Sequence, residues 1–324
     1  MKRFFLIILL VCLICVNVVT GQIEREHIKQ AIRGREIALT IDDVPIADEV
    51  SGLKQIQDTT QQILSVLVKR KIPAIGFVNE SKIYVKGETD ERINLLRRWL
   101  DAGLLLGNHT FSHVDLNNVS LEEYKDNFIK GEVIFRQLIQ EKGLKINKFY
   151  FRYPYNHTGI SKESKESFQE FLKLRNYEIA PFTIEHEDYI FANVYQKAII
   201  NNNLELAKQI RKAYLEHLDN KFDYYEKLSI ELFGYEPKQI FLIHVNEINA
   251  DCLDEMIEKL QKRGYQFITL EQALTDKAYQ SKEEYVGKHG ISWLYRWLIS
   301  QGKQPNYKFE PDPQDFILKL YQAK

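Results

Sequence analysis

Ala38-Leu39-Thr40-Ile41-Asp42-Asp43 decides the fold of this 324-residue chain. A short apolar run that stops on two adjacent carboxylates reads as a buried strand with chemistry at its C-terminal end. Taken alone, such a pair is commonly a turn former or a helix cap. Further on, His109-Thr110-Phe111-Ser112-His113 offers two imidazoles four residues apart. One oxygen donor, two imidazoles and a spare carboxylate make the donor set of a metal site with positions left for water and substrate. The first expectation is therefore a metal-dependent hydrolase.

Outward from that stretch, strand candidates fall at Ile37–Ile41, Ala74–Val78, Leu104–Gly107, Phe149–Phe151, Ile179–Ile184, Ile240–Ile243 and Gln266–Ile268. Between them, helical period marks Leu53–Lys69, Glu91–Asp101, Leu121–Gln140, Lys162–Leu174 and Asp251–Lys262. Parallel strands need crossover helices, so this alternation predicts an α/β fold, a distorted (β/α) barrel of about seven strands. Asp42 and Asp43 end the first strand, His109 follows the third, Arg152 ends the fourth, Glu185 the fifth and His244 the sixth. All of these positions belong to the rim where barrel active sites lie.

Residues 191–239 are too many for a crossover, and Leu204, Leu206, Ile210, Tyr214, Leu215 and Leu218 keep helical spacing. They predict a helical insertion. Residues 276–324 carry Trp293, Tyr295, Trp297 and Tyr307 without strand rhythm, and are expected to pack on the barrel as a C-terminal extension. At the other end, Lys2 and Arg3 precede an apolar stretch from Phe4 to Val19, with Val19-Thr20-Gly21 as a cleavage region, so residues 1–21 read as an export signal. The remaining 22–275 would form the catalytic domain, periplasmic or secreted and without stable membrane insertion once the signal is gone. Removing Cys12 and Cys15 leaves Cys252 alone, so no internal disulfide forms. A formal net charge of −1 supplies no basic footprint for nucleic acid.

Thr40-Ile41-Asp42-Asp43, His109-Thr110-Phe111-Ser112-His113, Arg152-Tyr153-Pro154-Tyr155 and Leu242-Ile243-His244, in that order, resemble four motifs of the polysaccharide deacetylases, the NodB-homology domain of carbohydrate esterase family four. The resemblance covers roughly residues 35–275. It implies removal of N-acetyl groups from an aminosugar glycan, with carbohydrate O-acetyl ester hydrolysis or silent glycan binding as alternatives. It also implies one divalent ion held by Asp43, His109 and His113, with zinc first and cobalt, nickel or manganese possible.

The resemblance makes Asp42 the general base, Arg152 the guanidinium that orients it, and His244 the general acid for the leaving amine. The backbone N–H of Tyr155 would face the oxyanion, and Leu242 would sit in the substrate pocket. Thr183-Ile184-Glu185-His186-Glu187-Asp188-Tyr189 departs from the family's remaining motif, placing Glu185 at its first acid and Tyr189 where tryptophan is common. Asp188 is the expected partner of His244, with Glu185 as its rival and as a substrate contact. Tyr189 would serve as a sugar-stacking wall. Asn156 stands where glycine often follows the third motif, and His157 and His186 read as solvated loop histidines.

Overall fold

The structure, a computed structural model, describes residues 34–47 and 52–323. The export-signal reading at residues 1–21 lies outside the described residues. Among those described, no helix is long and apolar enough to cross a membrane.

Seven parallel strands form one curled sheet: β1 Arg35–Val44, β2 Ala74–Val78, β3 Leu105–Asn108, β4 Phe149–Phe151, β5 Tyr177–Ile179, β6 Gln239–His244 and β7 Tyr265–Ile268. Their order is β5-β4-β3-β2-β1-β6, and β7 pairs with the first residues of β1, Arg35–Ala38. A single bridge between Ile184 and Phe241 joins the chain beyond β5 to β6 and nearly closes the ring. The expected fifth strand, Ile179–Ile184, is corrected to Tyr177–Ile179, so Glu185 does not end a strand. Pro181 has no N–H to give a ladder, and its carbonyl accepts from Arg152 Nη2 at 3.3 Å.

Side-chain alternation divides the core in two. Ile37, Leu39 and Ile41 pack outward with Leu64, Leu67 and Trp99, whereas Ala38 points inward with Ile75, Phe77, Tyr150 and Ile240. Leu270 and Ala273, from the short helix Leu270–Leu274, join that inner cluster.

The crossover helices are α1 Leu53–Arg70, α2 Thr89–Asp101, α3 Leu121–Lys130, α4 Val133–Glu141, α5 Lys162–Leu174 and, between β6 and β7, α8 Glu247–Lys262. The expected single helix Leu121–Gln140 is two, because the chain breaks at Gly131, which lies hard against the Thr110–Phe111 backbone. Residues 191–239 hold the end of α6 Asp188–Ile200 and all of α7 Leu204–Phe233, and α6 packs on both α7 and α8. α9 Leu270–Leu274 follows β7, and the extension carries α10 Trp293–Ser300 and α11 Asp315–Gln322. Trp293, Tyr295 and Trp297 are buried, while Tyr307 is half exposed.

The N-terminus of α4 is capped from a distance. Glu80, on the turn after β2, is fully buried and accepts from Ile134 N at 2.7 Å and Phe135 N at 3.0 Å. Burial outweighs these two bonds and pushes its carboxyl up from 4.5 to about 7. Between those values the folded chain holds a proton that the unfolded chain has released, so stability falls as pH rises through this window. Glu80→Gln keeps an acceptor without the charge. Melting temperatures of the variant should therefore lose this part of the decline between pH 4.5 and 7 and exceed the wild type above it. Parallel curves for the two proteins would contradict this.

Candidate active site

In an unbroken strand Asp42 and Asp43 would point to opposite faces of the sheet. The β1–β2 register runs Ile41↔Gly76 and then Val44↔Val78, so β1 carries one extra residue here. Asp43 takes φ 65°. This bulge turns both carboxylates into one cleft of about 780 Å³ at the C-terminal ends of the strands. Register supplies the neighbours: Asp42 stands opposite His244 on β6, and Asn108 opposite Phe151, which brings His109 beside Arg152.

Asp43 Oδ1 lies 3.6 Å from His109 Nε2 and 3.5 Å from His113 Nε2. It is buried and accepts no hydrogen bond. His109 Nδ1 donates to the Arg152 carbonyl at 2.8 Å, which leaves its Nε2 as a lone pair. An unsatisfied carboxylate oxygen facing two imidazole nitrogens suits a divalent cation. Burial acts upward on Asp43, but Lys82, His113 and His109 together hold it well below the carboxylate range. Lys82 itself is pinned on the Ile46 carbonyl at 2.7 Å.

Asp42 is almost wholly buried and borders that trio, its Oδ2 3.7 Å from His109 Nε2. Its Oδ2 lies 3.6 Å from Arg152 Nη1, and its Oδ1 has no hydrogen-bond partner. Burial pushes its carboxyl up to about 6 against the pull of Arg152 and His244. The Arg152 guanidinium is fully buried, lies 5.1 Å from the Phe77 ring centroid and donates to Thr40 Oγ1 at 2.9 Å. Thr40 in turn donates to the Phe241 carbonyl at 2.9 Å, so three strands fix the arginine.

The imidazole of His244 is held from behind. Asp188 Oδ1 accepts from Nδ1 at 2.7 Å, and Oδ2 accepts from the His244 backbone N–H at 2.8 Å. Asn246 Nδ2 donates to the same Oδ2 at 3.2 Å, with Asn249 Nδ2 beside it. Asp188 opens α6, where the helix end favours negative charge. Burial lowers the His244 pKa, yet the Asp188 carboxylate overrides it and pushes it up to about 10.

Glu185 does not touch His244. Its Oε2 accepts from the Glu187 backbone N–H at 2.7 Å, and Oε1 lies 3.9 Å from Lys221 Nζ. That lysine is fully buried, bonds Glu187 at 2.6 Å and Glu310 at 2.5 Å, and ties the rim to α7 and the extension. Glu185 still lines the cleft, with Tyr155, Tyr189 and Leu242. His186 is not a solvated loop residue, since it is buried between Tyr214 and Phe241 at ring separations of 4.7 and 5.1 Å. His157 hydrogen-bonds Asp115 at 2.9 Å.

Some cleft residues escaped sequence reading. Ala192, Asn193 and Gln196 join the predicted Tyr189 on one face of α6, an i, i+3, i+4, i+7 set that helical spacing could have exposed. Gly290, from the extension, had no such signal.

A family model described as polysaccharide deacetylase matches residues 29–171. The chain is 27% identical over 223 residues to an uncharacterized 30.6 kDa protein of Geobacillus stearothermophilus, covering 68% of each chain. It is 25% identical over 241 residues to the peptidoglycan-N-acetylglucosamine deacetylase of Bacillus cereus, covering 72% of this chain and 66% of that one. The chain thus spans about two thirds of the length of these relatives. Among solved structures, a CE4 family pseudoenzyme from Bacillus anthracis superposes with a TM-score of 0.49 at 19% identity, over 75% of this chain and 66% of that one.

The loop bearing both histidines rests on Gly131, where a Cβ would lie 2.5 Å from Phe111 N and from the Thr110 carbonyl carbon. Gly131→Ala should cost about 1–3 kcal/mol by overpacking. A lower urea midpoint at constant slope is the expected reading; an unmoved midpoint would mean that the loop yields freely.

Proposed function

We propose that this chain is a metal-dependent deacetylase that hydrolyses N-acetyl groups of an aminosugar glycan outside the cytoplasm. One observation carries the reading: a second buried carboxylate, Asp42, borders the Asp43–His109–His113 trio, 3.7 Å from His109 Nε2, and shares its cleft with an aspartate-backed histidine. An ion held by that trio would acidify water and polarise the acetyl carbonyl, with zinc the first choice and cobalt, nickel or manganese alternatives.

The chain's own groups supply the proton traffic. Asp42 takes a proton from the attacking water, held at its post by Arg152, whose charge keeps the base ionised. His244, charged and steadied by Asp188, gives a proton to the departing amine nitrogen, which leaves poorly without one. The Tyr155 N–H stabilises the oxyanion, and Tyr189 and Leu242 contact the sugar. A peptidoglycan-type or chitin-like polymer is the substrate class favoured by the family and by the relative named for N-acetylglucosamine removal. Export fits such a substrate. The net charge of −1 favours no nucleic acid partner.

Acetate release from defined N-acetylated glycans tests the reading. Asp42→Asn should reduce turnover by about 10³-fold or more, and a strong chelator should abolish it reversibly, with recovery on adding zinc or cobalt. Full activity in either condition would overturn the assignment.

His244→Ala separates amide from ester chemistry. Amide cleavage should fall by about 10²–10⁴-fold, and hydrolysis of an O-acetyl ester by much less, because an alkoxide leaves more readily than an amide anion. Equal losses on both substrates would remove His244 from the role of acid.

A further inference from the structure

The turn after β4 is held in an unfavourable backbone shape. Tyr155 and Asn156, consecutive and neither of them glycine, both take φ 54°. Left-handed conformations of this kind are unfavourable for residues with a Cβ and persist only where neighbours impose them. Within the turn, Asn156 N donates to the Tyr153 carbonyl at 2.9 Å and His157 N to the Pro154 carbonyl at 3.1 Å. The remaining support comes from more than a hundred residues away.

Arg296, on α10, is fully buried and donates Nη2 to the Asn156 carbonyl at 2.6 Å and Nη1 to Thr158 Oγ1 at 3.0 Å. Its Nε donates to the Ile291 carbonyl at 3.0 Å, and the Trp293 ring lies 4.0 Å beneath the guanidinium. Among the described residues no carboxylate pairs with it within 4.0 Å, and burial draws its pKa down to about 10 against the more distant pull of Glu283. Packing alone would be served as well by an apolar side chain, since a buried charge whose direct acceptors are neutral is costly. What the guanidinium adds is direction: a planar fork that fixes one carbonyl and one hydroxyl of the turn.

The same strap closes on the turn from a second side. Gly290 sits so near that a Cβ there would lie 1.8 Å from the Tyr155 carbonyl oxygen, and it lines the cleft. Around it, Lys165 Nζ reaches Glu283 Oε2 at 2.6 Å and the Tyr285 carbonyl at 2.8 Å, and Ser292 Oγ donates to the Thr183 carbonyl at 2.7 Å. The Tyr155 ring packs edge-on to His113 at 4.5 Å, so a shift of the turn reaches the metal-binding trio.

We propose that the strap 283–296 is part of the catalytic apparatus, with Arg296 and Gly290 as positioning residues that hold the Tyr155–Asn156 turn in register with the cleft. The proposal deepens the deacetylase reading and rests on it for its kinetic arm. It assigns to the extension a role beyond anchorage.

Arg296→Gln, Arg296→Lys and Gly290→Ala test it. Arg296→Gln and Gly290→Ala should each lower kcat about 100-fold with KM within a few-fold of wild type, the size expected for a displaced donor. Arg296→Lys, which keeps the charge but not the fork, should fall between. Crystal structures of the two stronger variants should show Tyr155 or Asn156 leaving positive φ while the β-sheet stays in place. A lowered melting temperature with kcat unchanged and the turn intact would make the strap a mere anchor and overturn the proposal. A relaxed turn in variants of a wild-type protein that releases no acetate from any glycan would uphold the positioning and sink the deacetylase reading instead. Gly290→Ala leaves Arg296 in place, so the test survives even if Arg296 variants fail to fold.

Discussion

One extra residue in β1 is the constraint on which the site depends. A regular strand can offer a cleft only every second side chain, and two adjacent carboxylates with different duties cannot then share it. The bulge between Ile41 and Val44, with Asp43 at φ 65°, removes that prohibition. It separates the environments as well. Asp43 stays strongly acidic among Lys82 and two histidines, while Asp42, deeper and beside a single guanidinium, is raised. Like charges this close would otherwise oppose each other's ionisation, and giving each its own counter-charge resolves the conflict.

Three buried cations then perform three kinds of structural work. Arg152 faces Asp42 from within the barrel and is oriented by Thr40. Lys221 neutralises Glu187 and Glu310, with Glu185 further off, and so joins the rim, the insertion and the extension through one ammonium group. Arg296 has no acid within pairing distance among the described residues and spends its donors on the active-site turn. None of the three is explained by stability alone, because apolar replacements commonly match or exceed buried ion pairs. Their common property is that each fixes a loop at the cleft to an element distant in sequence.

The strands were legible because buried parallel strands are written as apolar runs, and β2, β4 and β6 fall close to the predicted spans. The ends failed where one residue changed local hydrogen bonding: Pro181 cut the fifth strand short, and Gly131 divided a helix that periodicity made continuous. At the site, residue types and order picked out the groups that the fold brings into one cleft, from Asp42 to His244. What stayed hidden was partnership. Glu185 and Asp188 are three positions apart, and only the start of α6 at Asp188 turns one toward His244 and leaves the other to Lys221. Arg296 was invisible, since nothing in a sequence says which carbonyl a distant arginine will reach.

The insertion and the extension, read from sequence as additions to a finished barrel, are better understood as its missing wall. The sheet alone ends in strand tips and loops, and beyond β5 it is closed by Thr183 and Ile184, which hydrogen-bond Ile240 and Leu242 of β6. On one side of that seam α6 lays Tyr189, Ala192, Asn193 and Gln196 along the cleft; Gly290 enters it from the extension. Trp293 N donates to the Phe182 carbonyl at 2.9 Å, and Ser292 binds Thr183, so the strap grips the very residues that lead to the bridge. The segments at this seam are also the ones that shape the cleft, so barrel closure and substrate access are governed by the same contacts.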